Sequence, residues 1–172
     1  MGTILPLPRT KVIGLTPGEM TLARTEAEAR QAAIRARGAT SNGPTNQSID
    51  NDMIGVMGEI AFAKWSGLPW VASKGADYDE HGYDVGNCEV RTRRLQSAGL
   101  DMTVKASAQQ KYGPDRIYVL AWASPRNNQV RLVGYTTLGF IVDYGTFHHT
   151  WNAWVLPWRL LIDLEELNAR QR

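Results

Sequence analysis

Residues 55–65 read GVMGEIAFAKW, and a carboxylate, Glu59, stands in the middle of this apolar stretch. Ile54, Met57, Ile60 and Ala61 recur around it at helical spacing, which predicts a helix whose apolar stripe faces a core. Asp50 or Asn51 can cap this helix, and it runs to Gly67. A buried acid needs a partner or a metal ion, because an isolated charge is costly to desolvate. Gly55 and Gly58 each cost a helix about 1 kcal/mol relative to alanine. Both make sense if the helix lies close against a sheet.

The segments around it follow from local signals. Thr16-Pro17-Gly18-Glu19 starts a first helix, with Thr as N-cap, Pro at the first helical position and Glu three residues after the cap. This helix runs through an Ala-rich stretch to Arg37 and stops at Gly38. Arg24, Arg30, Arg35 and Arg37 decorate it and are expected on an exposed face. Residues 39–50, ATSNGPTNQSID, have the composition of a mobile loop. From Leu68 the period changes to two. Leu68 to Ser73 reads as a strand, followed by the acidic loop KGADYDEHG. Gly82–Val85 and Cys88–Arg93 form a candidate hairpin around Gly86-Asn87. Asp101–Lys105 is weakly extended, and RIYVLAWAS (116–124) is a buried strand. Residues 125–128 turn it into a second hairpin with Gln129–Thr136. Leu138–Tyr144 reads as a brief helix, Trp151–Leu156 as extended and Ile162–Arg170 as helical. The expected fold is α/β, one central mixed β-sheet with helices packed on it.

The 172 residues are expected to form a single domain: an N-terminal helix and loop (1–48), a core (49–144) and a C-terminal strand and helix (145–172). One cysteine, Cys88, excludes an internal disulfide framework and a multi-cysteine zinc site. No apolar run approaches the ~20 residues of a membrane span. The start, MGTILPLPRTK, is too short and too broken by proline for a signal peptide. A reducing, cytoplasmic setting is therefore expected, and the Asn46-Gln47-Ser48 sequon carries no expectation of glycosylation. The net charge of +2 hides an asymmetry. Residues 50–90 hold eight acids against Lys64 and Lys74, and residues 91–131 hold eight bases against Asp101 and Asp115. An acidic patch beside a basic strip suits a site that holds metal ions and grips a polyanion. It equally suits two solvated faces of opposite charge.

The chemistry concentrates in YDVGNCEVRT, residues 83–92. Residues two apart on a strand share a face, so Glu89 and Arg91 project together while Val90 faces the core. Cys88 also faces away from Glu89 and reads as a core thiol. Asp84 lies across the turn, where a hairpin would bring it beside Glu89. Two carboxylates and water suit Mg²⁺, with Mn²⁺ as a substitute. An ordinary ion pair of Arg91 with Glu89 or Asp84 is the other reading.

GEIAFAKWSGL, DVGN-CEVRT, RIYVLAW and VRLVGYTT resemble the small phage- and bacterium-encoded members of the PD-(D/E)XK nuclease superfamily, over roughly residues 50 to 140. The resemblance implies a restriction-endonuclease-like core, metal-dependent hydrolysis of DNA and, for a phage-encoded chain, the host cytoplasm. Asp84 matches the family's Asp, Glu89 the acid of its acid-X-Lys signature and Glu59 its helical Glu, so these three are the implied metal ligands. Arg91 stands where the family places Lys. Arginine keeps its charge and cannot act as a base, but it can hold a phosphate or stabilise a developing anion. Lys64 and Lys105 are the candidates for a displaced Lys.

Arg93, Arg94, Lys105 and Lys111 are expected phosphate contacts, which position a nucleic acid without reading its sequence. Trp151, Trp154 and Trp158 can stack on bases, although packing is the commoner use. His81 reads as solvated, and His148-His149 lacks the spacing of a zinc pair. A second class of function is a catalytically inactive nuclease fold that binds nucleic acid or assembles virions, with its acids in ion pairs. A homo-oligomer, or a virion or replication partner, fits either class.

Overall fold

The segment IYVLAWAS has no polar face, so a strand made of it needs cover on both sides. The computed structural model describes residues 9–38, 45–72, 83–96 and 99–170, with residues 45–47 as backbone alone. The chain runs β1 (Lys11–Gly14), α1 (Pro17–Ala36), α2 (Thr45–Ser66), β2 (Cys88–Arg94), β3 (Met102–Lys105) and α3 (Ala106–Lys111). It continues through β4 (Ile117–Ser124), β5 (Gln129–Thr137), α4 (Leu138–Tyr144), β6 (Thr146–His148), β7 (Ala153–Leu156) and α5 (Leu164–Arg170). The class is α/β, with a mixed sheet and flanking helices.

The expected single sheet is two. A four-stranded sheet has the order β1-β5-β4-β2, and a three-stranded sheet has the order β3-β7-β6. β4 lies inside the first, antiparallel to β5 and parallel to β2. The parallel pair requires a crossover, and residues 95–116, which carry β3 and α3, supply it. Along β4 the side chains alternate between two cores. Val119, Ala121 and Ala123 pack with α1, α2 and α5, while Tyr118, Leu120 and Trp122 pack with β3, α4 and β7. β5 slips register between Leu120 and Ala121, with Val133 as the extra residue. Leu132 and Val133 face different cores by ordinary alternation, and the bulge then returns Tyr135 to the helical side.

α1 begins with the capping box expected from its sequence. Thr16 Oγ1 accepts from Glu19 N–H at 3.2 Å, and Glu19 accepts from Thr16 N–H at 2.6 Å. α2 starts at Thr45, inside the stretch expected to be a loop, so neither Asp50 nor Asn51 caps it. From Val56 to Phe62 it is buried all round, lying between α1 and the sheet. Its two glycines differ. A Cβ at Gly58 would stand 1.9 Å from Thr92 Oγ1 on β2, whereas one at Gly55 meets nothing within 4 Å. Only Gly58 marks the close approach of helix and sheet.

Other expectations change as well. No strand forms at 68–72; instead Trp70 packs against the helical-side core. The expected hairpin is one isolated bridge, Val85 to Cys88, closed by a turn with Gly86 at φ 57°. β2 takes β4, not 83–85, as its ladder partner. Strand β1, helix α3 and the short β6 carried no expectation. The acidic loop and His81 lie outside the described residues, as does Lys74. No helix among the described residues is long and apolar enough to cross a membrane.

Gly58→Ala is expected to destabilise the fold by about 1–3 kcal/mol through overpacking against Thr92. Gly55→Ala is expected to be neutral or stabilising by up to about 1 kcal/mol. Urea unfolding midpoints of the two variants check this; equal stabilisation by both would remove the close contact from the description.

Candidate functional site

Glu59 has found cations. Arg30 of α1 grips it bidentately, Nη1 to Oε1 and Nη2 to Oε2, each at 2.8 Å. Trp70 Nε1 donates to Oε2 at 2.9 Å. Arg30 Nε donates to Glu26 Oε1 one turn earlier on α1, at 3.0 Å. Glu26, Arg30 and Glu59 are 3%, 5% and 3% exposed. The expectation that Arg30 decorates an exposed face is therefore wrong. The buried positions of α1 are Ala23, Glu26, Ala27, Arg30 and Gln31, a helical stripe that includes an ion pair.

On β2, Cys88 and Val90 sit in the helical-side core, and Thr92 Oγ1 donates to Gly55 of α2 at 3.4 Å. The odd positions Glu89, Arg91 and Arg93 point the other way. Glu89 is buried, and Arg91 lies 3.4 Å from its Oε2 and 5.6 Å over the ring of Tyr118, which belongs to the second core. Arg116, just before β4, donates to Glu89 Oε1. Its guanidinium lies between Tyr83 and Tyr112, 4.1 and 3.6 Å from their ring centres, and its buried Nε has no hydrogen-bond partner.

Asp84 stands at the entry to β2, where its Oδ2 accepts from Val90 N–H at 2.7 Å. Glu59 approaches from the helical side and Glu89 from the other. Burial pushes the Asp84 carboxyl up to about 7, and repulsion from Glu59 and Glu89 adds to it. The Val90 N–H and Arg91 oppose the shift. Among the described residues, no three His, Cys, Asp or Glu side chains form a group that could hold a metal ion. The expected trio is thus in electrostatic contact but is not gathered as one ligand set; Arg30 engages Glu59, and Arg116 and Arg91 engage Glu89.

Neither candidate Lys stands at this site. Lys64 Nζ donates to Gly14 O and to Glu19 at 3.1 Å, near the start of α1. Lys105 Nζ donates to Trp151 O at 3.2 Å, on the second sheet. Arg93 donates to Thr103 Oγ1. Arg94 is exposed at the end of β2, and Lys111 ends α3 with its Nζ 5.1 Å over the Tyr112 ring. Trp158 packs edge-on against Trp122, Trp154 against Phe147, and Trp151 is exposed. Sequence reasoning missed Arg30, Trp70 and Arg116 as partners of the acids. For Arg30 the signal existed, in its i,i+4 spacing from Glu26 on the Ala23-Ala27 stripe. For Arg116 only the parallel register of β2 with β4 creates the contact.

No family model, curated protein or solved structure matches the chain.

The raised Asp84 value has a signed consequence. With a folded value of about 7 and an unfolded one of about 4, the folded chain retains a proton that the unfolded chain has lost. Stability therefore falls as pH rises from about 4 to about 7 and then levels. Asp84→Asn removes this dependence. Its Tm is expected to match wild type near pH 4 and to exceed it by ~3 °C or more near pH 8. A gap that stays constant or reverses would contradict the placement of Asp84 between two acids.

Proposed function

We propose that the chain is a divalent-metal-dependent nuclease acting on DNA, built on a restriction-endonuclease-like core of the PD-(D/E)XK kind that its motifs resemble. The observation carrying this reading is the buried carboxyl of Asp84 at the entry to β2, on the Val90 N–H and in electrostatic contact with Glu59 and Glu89. A buried acid opposed by two others is an arrangement that a bound cation would relieve.

Asp84 and Glu89 are the residues that would hold Mg²⁺ or Mn²⁺, since such an ion needs only one or two carboxylates beside water and phosphate oxygens, and Glu89 would exchange its arginine contacts for the ion. When bound, the ion polarises a phosphodiester and lowers the pKa of its water. Asp84 must lose its proton to serve, so metal binding and cleavage are expected to strengthen as pH rises. Arg91 faces the same side as Glu89 and is suited to the scissile phosphate, where its fixed charge stabilises the developing anion without accepting a proton. Glu59 is a positioning residue, its oxygens held by Arg30 and Trp70.

One observation favours the second reading. Arg30 and Arg116 already neutralise Glu59 and Glu89, which is what a non-catalytic nucleic-acid-binding or virion-assembly module on the same core requires. Incubation of single-stranded, duplex and branched DNA with Mg²⁺ or Mn²⁺ separates the two. A nuclease cuts at least one substrate, loses this in Asp84→Asn and loses about 100-fold in Arg91→Ala. DNA binding with no cutting of any substrate would establish the second reading.

A further inference from the structure

The odd-numbered row of β2 does not end at Arg91. Arg93 continues it and borders a groove of about 610 Å³ on the outer face of the β3-β7-β6 sheet. The size is that of a small-molecule site. Thr103 and Lys105 project from β3 into this groove, away from the buried Met102 and Val104. His148 ends β6 on the same face, because it pairs with Ala153, which in turn pairs with Lys105. Trp151, from the turn between β6 and β7, stacks on His148 with centroids 4.3 Å apart and planes at 12°. It is 54% exposed, which leaves indole surface for a ligand.

We propose that this groove binds one unpaired nucleotide of a DNA strand, its base stacked on Trp151 and its phosphate on Arg93 and Lys105. Each lining group suits that occupant. An indole held flat by a second ring is a platform for any base, and base–aromatic stacking is the main sequence-tolerant contact to single strands. Lys105 Nζ is tethered to the Trp151 carbonyl, so the cation and the platform keep a fixed separation. Arg93 is held by Thr103 at the opposite wall. Asp101 is the acid in the lining, its Oδ1 accepting from Trp158 N–H at 3.0 Å, and against it Arg93 and Lys105 leave the groove with a positive balance.

The groove also continues the site, and here the proposal rests on the nuclease reading. At about 3.3 Å per residue, Arg93 lies roughly 13 Å along β2 from Glu89. That distance is a few nucleotides at about 3.4 Å each when stacked. A strand with its phosphate at Arg91 and Glu89 thus reaches the Trp151 platform with a nearby base, which has to be unpaired to lie flat on the indole.

The test is fluorescence anisotropy with a short labelled single-stranded DNA, with EDTA present so that nothing is cut. The same DNA with abasic sites and the same sequence as a duplex are measured beside it. Wild type is expected to bind the intact single strand about tenfold or more tighter than the abasic strand. Trp151→Ala abolishes that preference by bringing binding of the intact strand down to the level of the abasic one. Lys105→Gln weakens both and lowers the salt dependence by about one ion. Trp151 is exposed, so its variant should fold, and circular dichroism verifies this. Equal binding of intact and abasic strands by wild type, a Trp151→Ala variant that keeps the preference, or no binding at all would overturn the proposal. Cleavage with Mg²⁺ is read separately. Base-dependent binding without cleavage leaves this site standing and removes the nuclease reading; cleavage with no base dependence does the reverse.

Discussion

A buried ion pair, Arg30 with Glu59, joins the two long helices at the point where α2 meets the sheet. Such pairs add little net stability over an apolar contact of the same shape, because desolvation consumes much of the attraction. Their effect is on specificity. A guanidinium fork accepts a carboxylate in one plane, so α1 and α2 can be joined in one rotational setting and few others. The same carboxylate takes the indole N–H of Trp70 and so fixes the chain just after α2. Removing either member would strand a charge inside the helical layer.

The sheet then separates packing from chemistry. β2 is an edge strand whose even positions serve the helices and whose odd positions carry Glu89, Arg91 and Arg93. A row of charges could not face the apolar helical core. It faces the space beside the second sheet, where Tyr118, Tyr112 and Tyr83 provide ring faces for the arginines. Asp84 occupies the entry to the strand and feels an acid from each side. The convergence depends on Gly58, whose missing side chain lets α2 approach Thr92. Burial is the larger cause of the raised Asp84 value, and the two acids add to it.

The sequence shows the parts that local rules govern. The Thr16 capping box, the stripe of α2, the inward Cys88 and the shared face of Glu89 and Arg91 all follow from spacing alone. The β4 segment is legible because its residues are apolar at both parities. Non-local partners are not legible. YDVGNCEV carries a turn-forming Gly-Asn pair and reads as a hairpin, yet the strand it leads into pairs with residues almost thirty positions later, in parallel. The division into two sheets depends on the same choice. Lys64 looked like a candidate for the site from its place one turn after Glu59, but the rotation of α2 aims it at the start of α1. Arg30 could have been read from its stripe; an arginine between alanines is usually solvated, and here burial was offset by two carboxylates.

The most direct measurement of the proposed cation site is calorimetric titration of Mg²⁺ into the protein near pH 7, in two buffers of different ionisation enthalpy, with Asp84→Asn beside wild type. A site built on Asp84 and Glu89 gives saturable binding whose heat differs between the buffers, because the carboxyl held up at about 7 releases its proton as the ion binds. Asp84→Asn abolishes both the binding and the buffer difference. Absence of saturable binding by wild type, or binding that Asp84→Asn leaves unchanged, would contradict a metal site at this position.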